Sequence, residues 1–471
     1  VKIRSLSGTD VDLPEDALSK LGAALRGSLH LPGEPAWEES RTVWNAMIDR
    51  RPALVARPIG IADVVQCVNF ARERSLLMAI KGGGHNIAGL GTCEGGFLVD
   101  LSRMRGVWVD PATRLARAQA GCLLGDVDRE TQLHGLAAVL GFVSATGVAG
   151  LTLGGGFGYL SRRHGWTSDQ VAAIDMVLAD GSRVRASENE NADLFWGLRG
   201  GGGNFGIATG FEYRLFPVGP EITGGAIAWP LDQAREVLDL FRELTEHGPD
   251  DLACAVTLRP APPAPWLPVE MHGKPVVALV VCHFGGSEEG LQAIARIKGF
   301  GKPVGDVVTR RPYAQQQALL DPTQPKGRRY YWKSEYLPKL EPAILDLAIE
   351  HAKRIVSPHS AFILFPIGGT IHRLPADHSA VGNRDASVVV NIAASWEAPG
   401  DDAREVEWAR AAWREARKFS TGGTYVNFLT EEETGDRIQA AYGANLERLR
   451  EIKHRWDPDN LFRTNKNIAP L

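Results

Sequence analysis

Three glycine-rich runs hold the residues of this chain best suited to chemistry. The first, Lys81 to Gly89, sets His85 directly after Gly82, Gly83 and Gly84, with Asn86 behind it. The second runs from Gly147 to Gly158 and includes Gly150, Gly154 and Gly155; Thr146 precedes it. The third, Arg199 to Gly206, leads into Ile207. Glycine removes Cβ, so the backbone can come close to a ligand, and successive N–H groups can converge on an anion such as a pyrophosphate. A single run of this kind is an ordinary turn. Three of them at strand edges predict a large phosphate-bearing cofactor. None ends in Gly-Lys-Ser/Thr, so a P-loop is excluded. No ribose-binding acid follows at the distance a dinucleotide fingerprint requires, which argues against a Rossmann enzyme. Read from its loop alone, His85 is a turn-capping surface residue; the sharper alternative is a nucleophilic imidazole that attacks a cofactor carbon.

The remaining composition narrows the class. The 471 residues are 44% hydrophobic and 23% charged, with a formal net charge of −4, values of an ordinary globular protein. That charge offers no footprint for nucleic acid or an anionic membrane; the one dense basic run is Lys326 to Arg329. Five widely spaced cysteines without a CxxC argue against a disulfide framework and against zinc. No metal, nucleic-acid or membrane partner is therefore predicted. No leader is visible at Val1 and no apolar run is long enough to span a bilayer, so the expected location is cytoplasmic.

Positioning elements can be read around the runs. Leu54 to Arg57 is a strand, Ile61 to Glu73 a helix, and Leu77 to Ile80 a strand feeding the first run. Phe97 to Leu101 and Arg117 to Ala120 are further strands. Asp180-Gly181 predicts a hairpin turn after Ile174 to Leu178, and Thr209 to Phe216 alternates as a strand does. After about residue 218 glycine thins. Helices are predicted at Leu231 to His247 and Glu341 to Ile355, and strands at Val276 to Phe284, Ala361 to Ile367 and Ser387 to Trp396. Glu431 to Trp456 reads as largely helical and is stopped by Asp457-Pro458. The fold class is α+β.

The combination resembles the berberine-bridge-enzyme-like branch of the vanillyl-alcohol-oxidase flavoproteins, with their PCMH-type FAD-binding domain. The likeness runs from about Trp44 to Pro470. It rests on Arg51 to Pro58, on Lys81 to Gly89, on Gly147 to Gly158 followed by Leu160 to Gly165, and on Asp193 to Ile207. Tyr425-Val-Asn427, Trp456 to Phe462 and Asn465 to Ile468 complete it.

The resemblance implies an FAD domain over 1–217, a substrate domain over 218–420 with an antiparallel sheet backed by helices, and a C-terminal element, 421–471, that returns to the flavin. It implies that His85 bonds the flavin 8α carbon. Lys81, Gly82, Gly83, Gly84, Asn86, Gly89, Thr146, Gly147, Gly150, Gly154, Gly155, Gly158, Gly206, Ile207, Tyr425, Asn427 and Asn465 would then surround FAD. Relatives with a second link carry a cysteine where this chain has Val143, so a single bond is expected. Relatives with a catalytic tyrosine place it where this chain has Phe428, which cannot take a proton. The candidates for a base are Tyr331 first, then Tyr330 and Glu397, with Tyr336 and His372 behind them and Tyr425 beside the ring. The implied reaction takes hydride from an alcohol, sugar, phenol or amine to flavin, with O2 as acceptor. The rivals are a dehydrogenase with another acceptor and a non-catalytic flavin-binding module.

Overall fold

The structure is a computed structural model that describes all residues from Val1 to Leu471. Its first part stacks two small sheets. Strands β1 (Ser28–His30), β2 (Leu54–Arg57), β3 (Met78–Lys81) and β4 (Phe97–Asp100) form one, in the order β1-β2-β4-β3. β2 and β3 both run parallel to β4, and helix α1 (Ile61–Glu73) is the crossover that parallel pairing requires. β3 ends at Lys81, so the first glycine run begins where the strand stops. The second sheet is antiparallel: β5 (Val107–Asp110), β6 (Leu115–Gln119), β7 (Val171–Val177), β8 (Arg183–Ser187) and β9 (Ile207–Arg214), in the order β8-β7-β9-β6-β5. The Asp180-Gly181 turn joins β7 to β8 as the sequence predicts. The second glycine run leads into the short helix α2 (Val148–Leu153), and the third runs from α3 (Ala192–Leu198) to β9.

One apolar core, built from Ile3 to Leu215, serves both sheets. It also takes Tyr442, Leu449, Ile452, Leu461, Phe462 and Ile468 from the far end of the chain. The C-terminal residues from Tyr442 to Ile468 thus bury their apolar side chains in the first part of the protein.

The middle of the chain forms one large antiparallel sheet. Its long strands are β10 (Glu221–Pro230), β11 (Leu252–Pro260), β12 (Pro275–His283), β13 (Arg329–Leu337), β14 (Ala361–Pro366) and β15 (Val388–Trp396), ordered β10-β12-β11-β14-β15-β13. Helices α4 (Ala234–His247), α5 (Pro342–Ala352) and α6 (Asp402–Ala416) share a second apolar core with one face of this sheet. α5 starts with Pro342 at its first position, where the missing N–H costs nothing. The other face looks toward the glycine runs.

The largely helical stretch expected over Glu431 to Trp456 is found from Asp436 onward, with one interruption. It is two helices, α7 (Asp436–Tyr442) and α8 (Leu446–Trp456). Gly443 between them has φ +56°, a left-handed turn that interrupts the hydrogen-bond ladder.

Candidate functional site

The glycine runs, the open face of the sheet and the C-terminal element enclose a cavity of about 370 Å3. Gly82, Gly83, Gly84, His85 and Asn86 line it from the first run. Val143, Thr146, Gly147 and Gly150 come from the second run and the turn before it, and Gly206 and Ile207 from the third. Tyr425, Asn427, Phe428 and Asn465 arrive from the C-terminal element. Residues separated by more than 300 positions meet here because the chain from Tyr442 to Ile468 shares the first core.

Two of the runs touch backbone to backbone. A Cβ on Gly83 would sit 2.4 Å from the Gly147 nitrogen, and one on Gly147 would sit 2.4 Å from the Gly83 nitrogen. No side chain fits at either position, so the paired strips of peptide groups stay bare toward the cavity.

His85 stands at the end of the first strip. Its ring stacks on Trp44 at 4.2 Å, and Trp44 stacks in turn on Tyr330 at 3.6 Å. The imidazole Nε2 is buried without a hydrogen-bond partner. Burial lowers the His85 pKa to about 4, because a charged imidazolium would lose its hydration without gaining a carboxylate. The ring is therefore neutral at ordinary pH, with a free lone pair. Thr464 Oγ1 and Asn465 Oδ1 are likewise buried and unpartnered, and both residues line the cavity. Buried polar atoms seldom go unsatisfied. Orphaned groups from both the first run and the C-terminal element, around one glycine-walled cavity, fit an extended polar ligand such as FAD.

Several expected ligands serve the fold instead. Lys81 does not line the cavity; its ammonium lies 3.0 Å from Asp100 Oδ2 and donates to the Ser40 carbonyl. Gly89, Gly154, Gly155 and Gly158 also stand behind the wall. A Cβ there would strike Ile48, Asn427, Val381 and the Leu140 carbonyl respectively. These four glycines let neighbouring segments pack closely.

The proposed bases are corrected. On β13 the side chains alternate, and Tyr331 falls on the helix-facing side within the second core. Its hydroxyl donates to Glu432 and accepts from Arg410 Nε at 2.9 Å, and Lys333 completes that cluster 2.7 Å from Glu432. Tyr330 packs on Trp44 and donates its hydroxyl to the Pro325 carbonyl at 2.6 Å. Glu397 is exposed and pairs with His359 at 3.2 Å. Tyr336 is buried beside Tyr425, and His372 bonds the Ala386 carbonyl at 2.7 Å. None of these five reaches the cavity. Tyr425 does, but its hydroxyl accepts from the Gly156 N–H at 3.0 Å and from Asn427 Nδ2 at 2.9 Å. Burial pushes its pKa to about 12, so it is protonated and positions the Gly156 turn. Tyr331→Phe should therefore leave flavin reduction within about twofold of the parent rate. Its cost should appear as ~1–2 kcal/mol of stability from the lost hydrogen bonds, read as a shifted denaturation midpoint.

The side chains that do face the cavity from the sheet were missed in the sequence. They are Thr257 and Arg259 from β11, Ile363 and Phe365 from β14, Asn391 from β15 and Trp332 from β13, with His359 at the edge. Asn391 Oδ1 and Trp332 Nε1 are buried without partners. Period-two alternation within each strand is the signal that links them.

The FAD binding domain model matches residues 52–187, and the berberine and berberine-like model matches residues 424–469. An FAD-linked oxidoreductase of Dictyostelium discoideum is 30% identical over 91% of this chain and 91% of its own length. The chain belongs to the berberine-bridge-enzyme-like FAD-linked oxidoreductases. The (R)-6-hydroxynicotine oxidase of Paenarthrobacter nicotinovorans is 29% identical to this oxidoreductase, over 96% of this chain and 99% of the other. The solved 6-hydroxy-D-nicotine oxidase from Arthrobacter nicotinovorans superposes with a TM-score of 0.84 at 27% identity, over 95% of this chain and 98% of that one. Berberine bridge enzyme from Eschscholzia californica shares the fold, with a TM-score of 0.85 at 19% identity over 97% and 99% of the two chains. The mixed α+β fold, the FAD cofactor and the oxidoreductase class of this enzyme follow from these likenesses together. No helix of this oxidoreductase is long and apolar enough to cross a membrane.

Proposed function

We propose that this enzyme is an oxidase of a small organic molecule whose FAD is joined to the chain by one bond, at His85. The carrying observation is the neutral, unpartnered imidazole of His85 at the end of the bare glycine strips. A neutral ring can offer its lone pair to the 8α carbon, and an imidazolium cannot; the new C–N bond would replace a C–H bond, with the proton leaving to water and the electron pair to O2. Val143 lines the cavity, and none of the five cysteines does, which supports a single link. The glycine runs bind the pyrophosphate through backbone N–H groups, and Asn465 and Thr464 supply further polar contacts. When bound, the flavin supplies the two-electron acceptor.

No aspartate or glutamate lines the cavity. Phe428 carries no proton and the Tyr425 hydroxyl is occupied by Gly156 and Asn427. We therefore assign no carboxylate or tyrosine base to the reaction. The chain's contribution is orientation and dryness: Phe142, Phe157, Phe365, Trp332 and Phe428 wall the cavity and keep water from the reacting carbon. The proton of the substrate's own alcohol or amine would leave through a bound water, with the substrate's acidity setting its cost. This reading expects the pH profile of flavin reduction to move with the pKa of the substrate when two substrates are compared. A profile that stays put would restore a protein base.

Oxidases named for hydroxynicotine, xylooligosaccharides and chitooligosaccharides are among the relatives. They support amines and sugars as the first substrates to test. The experiment is anaerobic mixing of the holoprotein with alcohols, sugars, phenols and amines, following visible flavin absorbance, and then admission of O2. Bleaching by one compound and rapid return of colour in O2 support an oxidase. Bleaching without return in O2 would make the enzyme a dehydrogenase with another acceptor.

The pH dependence of attachment has a definite sign. With the His85 pKa lowered to about 4, the ring remains about nine-tenths neutral at pH 5. Apoprotein mixed with FAD should thus form the covalent link nearly as fast at pH 5 as at pH 8. An ordinary histidine, with a pKa of about 6.5, would lose roughly 30-fold over the same range.

A further inference from the structure

The wall of the cavity opposite the glycine runs has a regular lateral layout. Ala361 pairs with Ala393, and Ala393 with Trp332, across β14, β15 and β13. On the other side Leu258 pairs with Phe362, and one step further along that register Arg259 stands opposite Ala361. One transverse row of the sheet thus reads Arg259, Ala361, Ala393, Trp332, and all four residues line the cavity. The two alanines leave a shallow apolar trough. Its ends, three strand spacings or about 14 Å apart at the backbone, are an indole and a guanidinium.

The guanidinium has no acidic partner. Arg259 Nε donates to the Pro260 carbonyl at 3.3 Å and Nη2 to the Pro358 carbonyl at 3.1 Å. Both partners are neutral backbone oxygens. Arg328, from the short basic run after Lys326, has only the Thr323 carbonyl at 3.3 Å, and it adds positive potential at Arg259. His359 lines the cavity at the same end, adjacent to Pro358. The only carboxylate paired with any of these three basic groups is Glu397, on His359. Burial and Arg328 lower the Arg259 pKa to about 10, so it carries its charge at neutral pH. A half-buried cation without a counter-charge is costly, and a carboxylate matches the guanidinium fork.

Building on the FAD oxidase reading, we infer that the substrate is an organic acid. Its carboxylate binds Arg259 beside His359, and its apolar body lies on Ala361 and Ala393 against Trp332. The cation selects and orients the substrate and takes no part in moving electrons. Arg259 is thus a specificity-determining residue.

The test is calorimetric binding to the holoprotein of three matched pairs: phenylacetate, 3-phenylpropanoate and 4-phenylbutanoate, each against its neutral amide. At least one acid should bind ~10–100-fold more tightly than its amide, the worth of a charged hydrogen-bonded contact, and added salt should narrow the gap. Arg259→Gln should bring the acid-to-amide affinity ratio close to one, and Arg259→Lys should retain part of the preference. Amides that match their acids in every pair, or no binding by any acid, would overturn the inference. So would an Arg259→Gln variant that keeps the preference or weakens acid and amide alike. Flavin content is read separately: a chain that never takes up FAD refutes the oxidase reading, whereas a flavin-loaded chain without acid preference refutes only this one.

Discussion

Gly83→Val should yield a folded chain that carries almost no flavin. The new Cβ would lie 2.4 Å from the Gly147 nitrogen and 2.5 Å from its Cα, distances that no side-chain rotamer relieves. The two glycine strips must separate, and the peptide N–H groups that face the cavity move with them. The misfit is at the cavity wall and not in the apolar core, so most of the folding energy is retained. Overpacking of this kind costs ~1–3 kcal/mol, which a domain of this size survives. We expect flavin content below about a tenth of parent, because each displaced charge-assisted hydrogen bond to a pyrophosphate is worth ~1.5–3 kcal/mol. The ratio of visible to protein absorbance measures it, and circular dichroism shows whether the fold is kept. Gly147→Val should behave the same way, since the contact is reciprocal. Full flavin content in both variants would mean the strips do not hold the cofactor.

His85→Ala should separate binding from attachment. The variant should still take up FAD, because the strips act through backbone. Acid should then release that FAD completely, where the parent should retain it. Loss of the His85 ring also removes one of the two rings stacked on Trp44, so some loosening near Tyr330 is expected. Flavin reduction by a good substrate should be slower, because alkylation at the 8α position makes a flavin a stronger oxidant. A His85→Ala protein whose flavin still resists acid would place the link elsewhere.

The parts of this account legible in the sequence are those carried by local runs. Lys81 to Gly89 shows as a run because glycine is rare enough for three in succession to stand out, and β3 ends directly at it. The strand over Leu54 to Arg57 and the helix over Ile61 to Glu73 were predicted at their observed limits, since apolar spacing alone sets them. Tyr331 was misplaced for a physical reason. Along Arg329–Leu337 both faces are packed, one by α6 and one by the cavity wall, so no polar–apolar alternation tells the faces apart. A one-residue error in parity then exchanges Tyr331 for Trp332. Arg259 and Asn391 escaped for another reason: they come from separate strands that only the sheet register aligns, and His359 comes from the turn before β14. Lys81 and Gly158 look like ligands in the sequence because a run of the right type also contains the residues that shape it from behind.

The most direct test of the central claim is to denature the parent protein in acid, separate soluble from precipitated material, and map the flavin-bearing peptide by fragmentation. The account predicts a precipitate that stays yellow and one modified peptide, within Gly82 to Arg103, whose fragments place the flavin on His85 and leave Cys93 free. FAD released whole into the supernatant, or a flavin found on any cysteine, would contradict it.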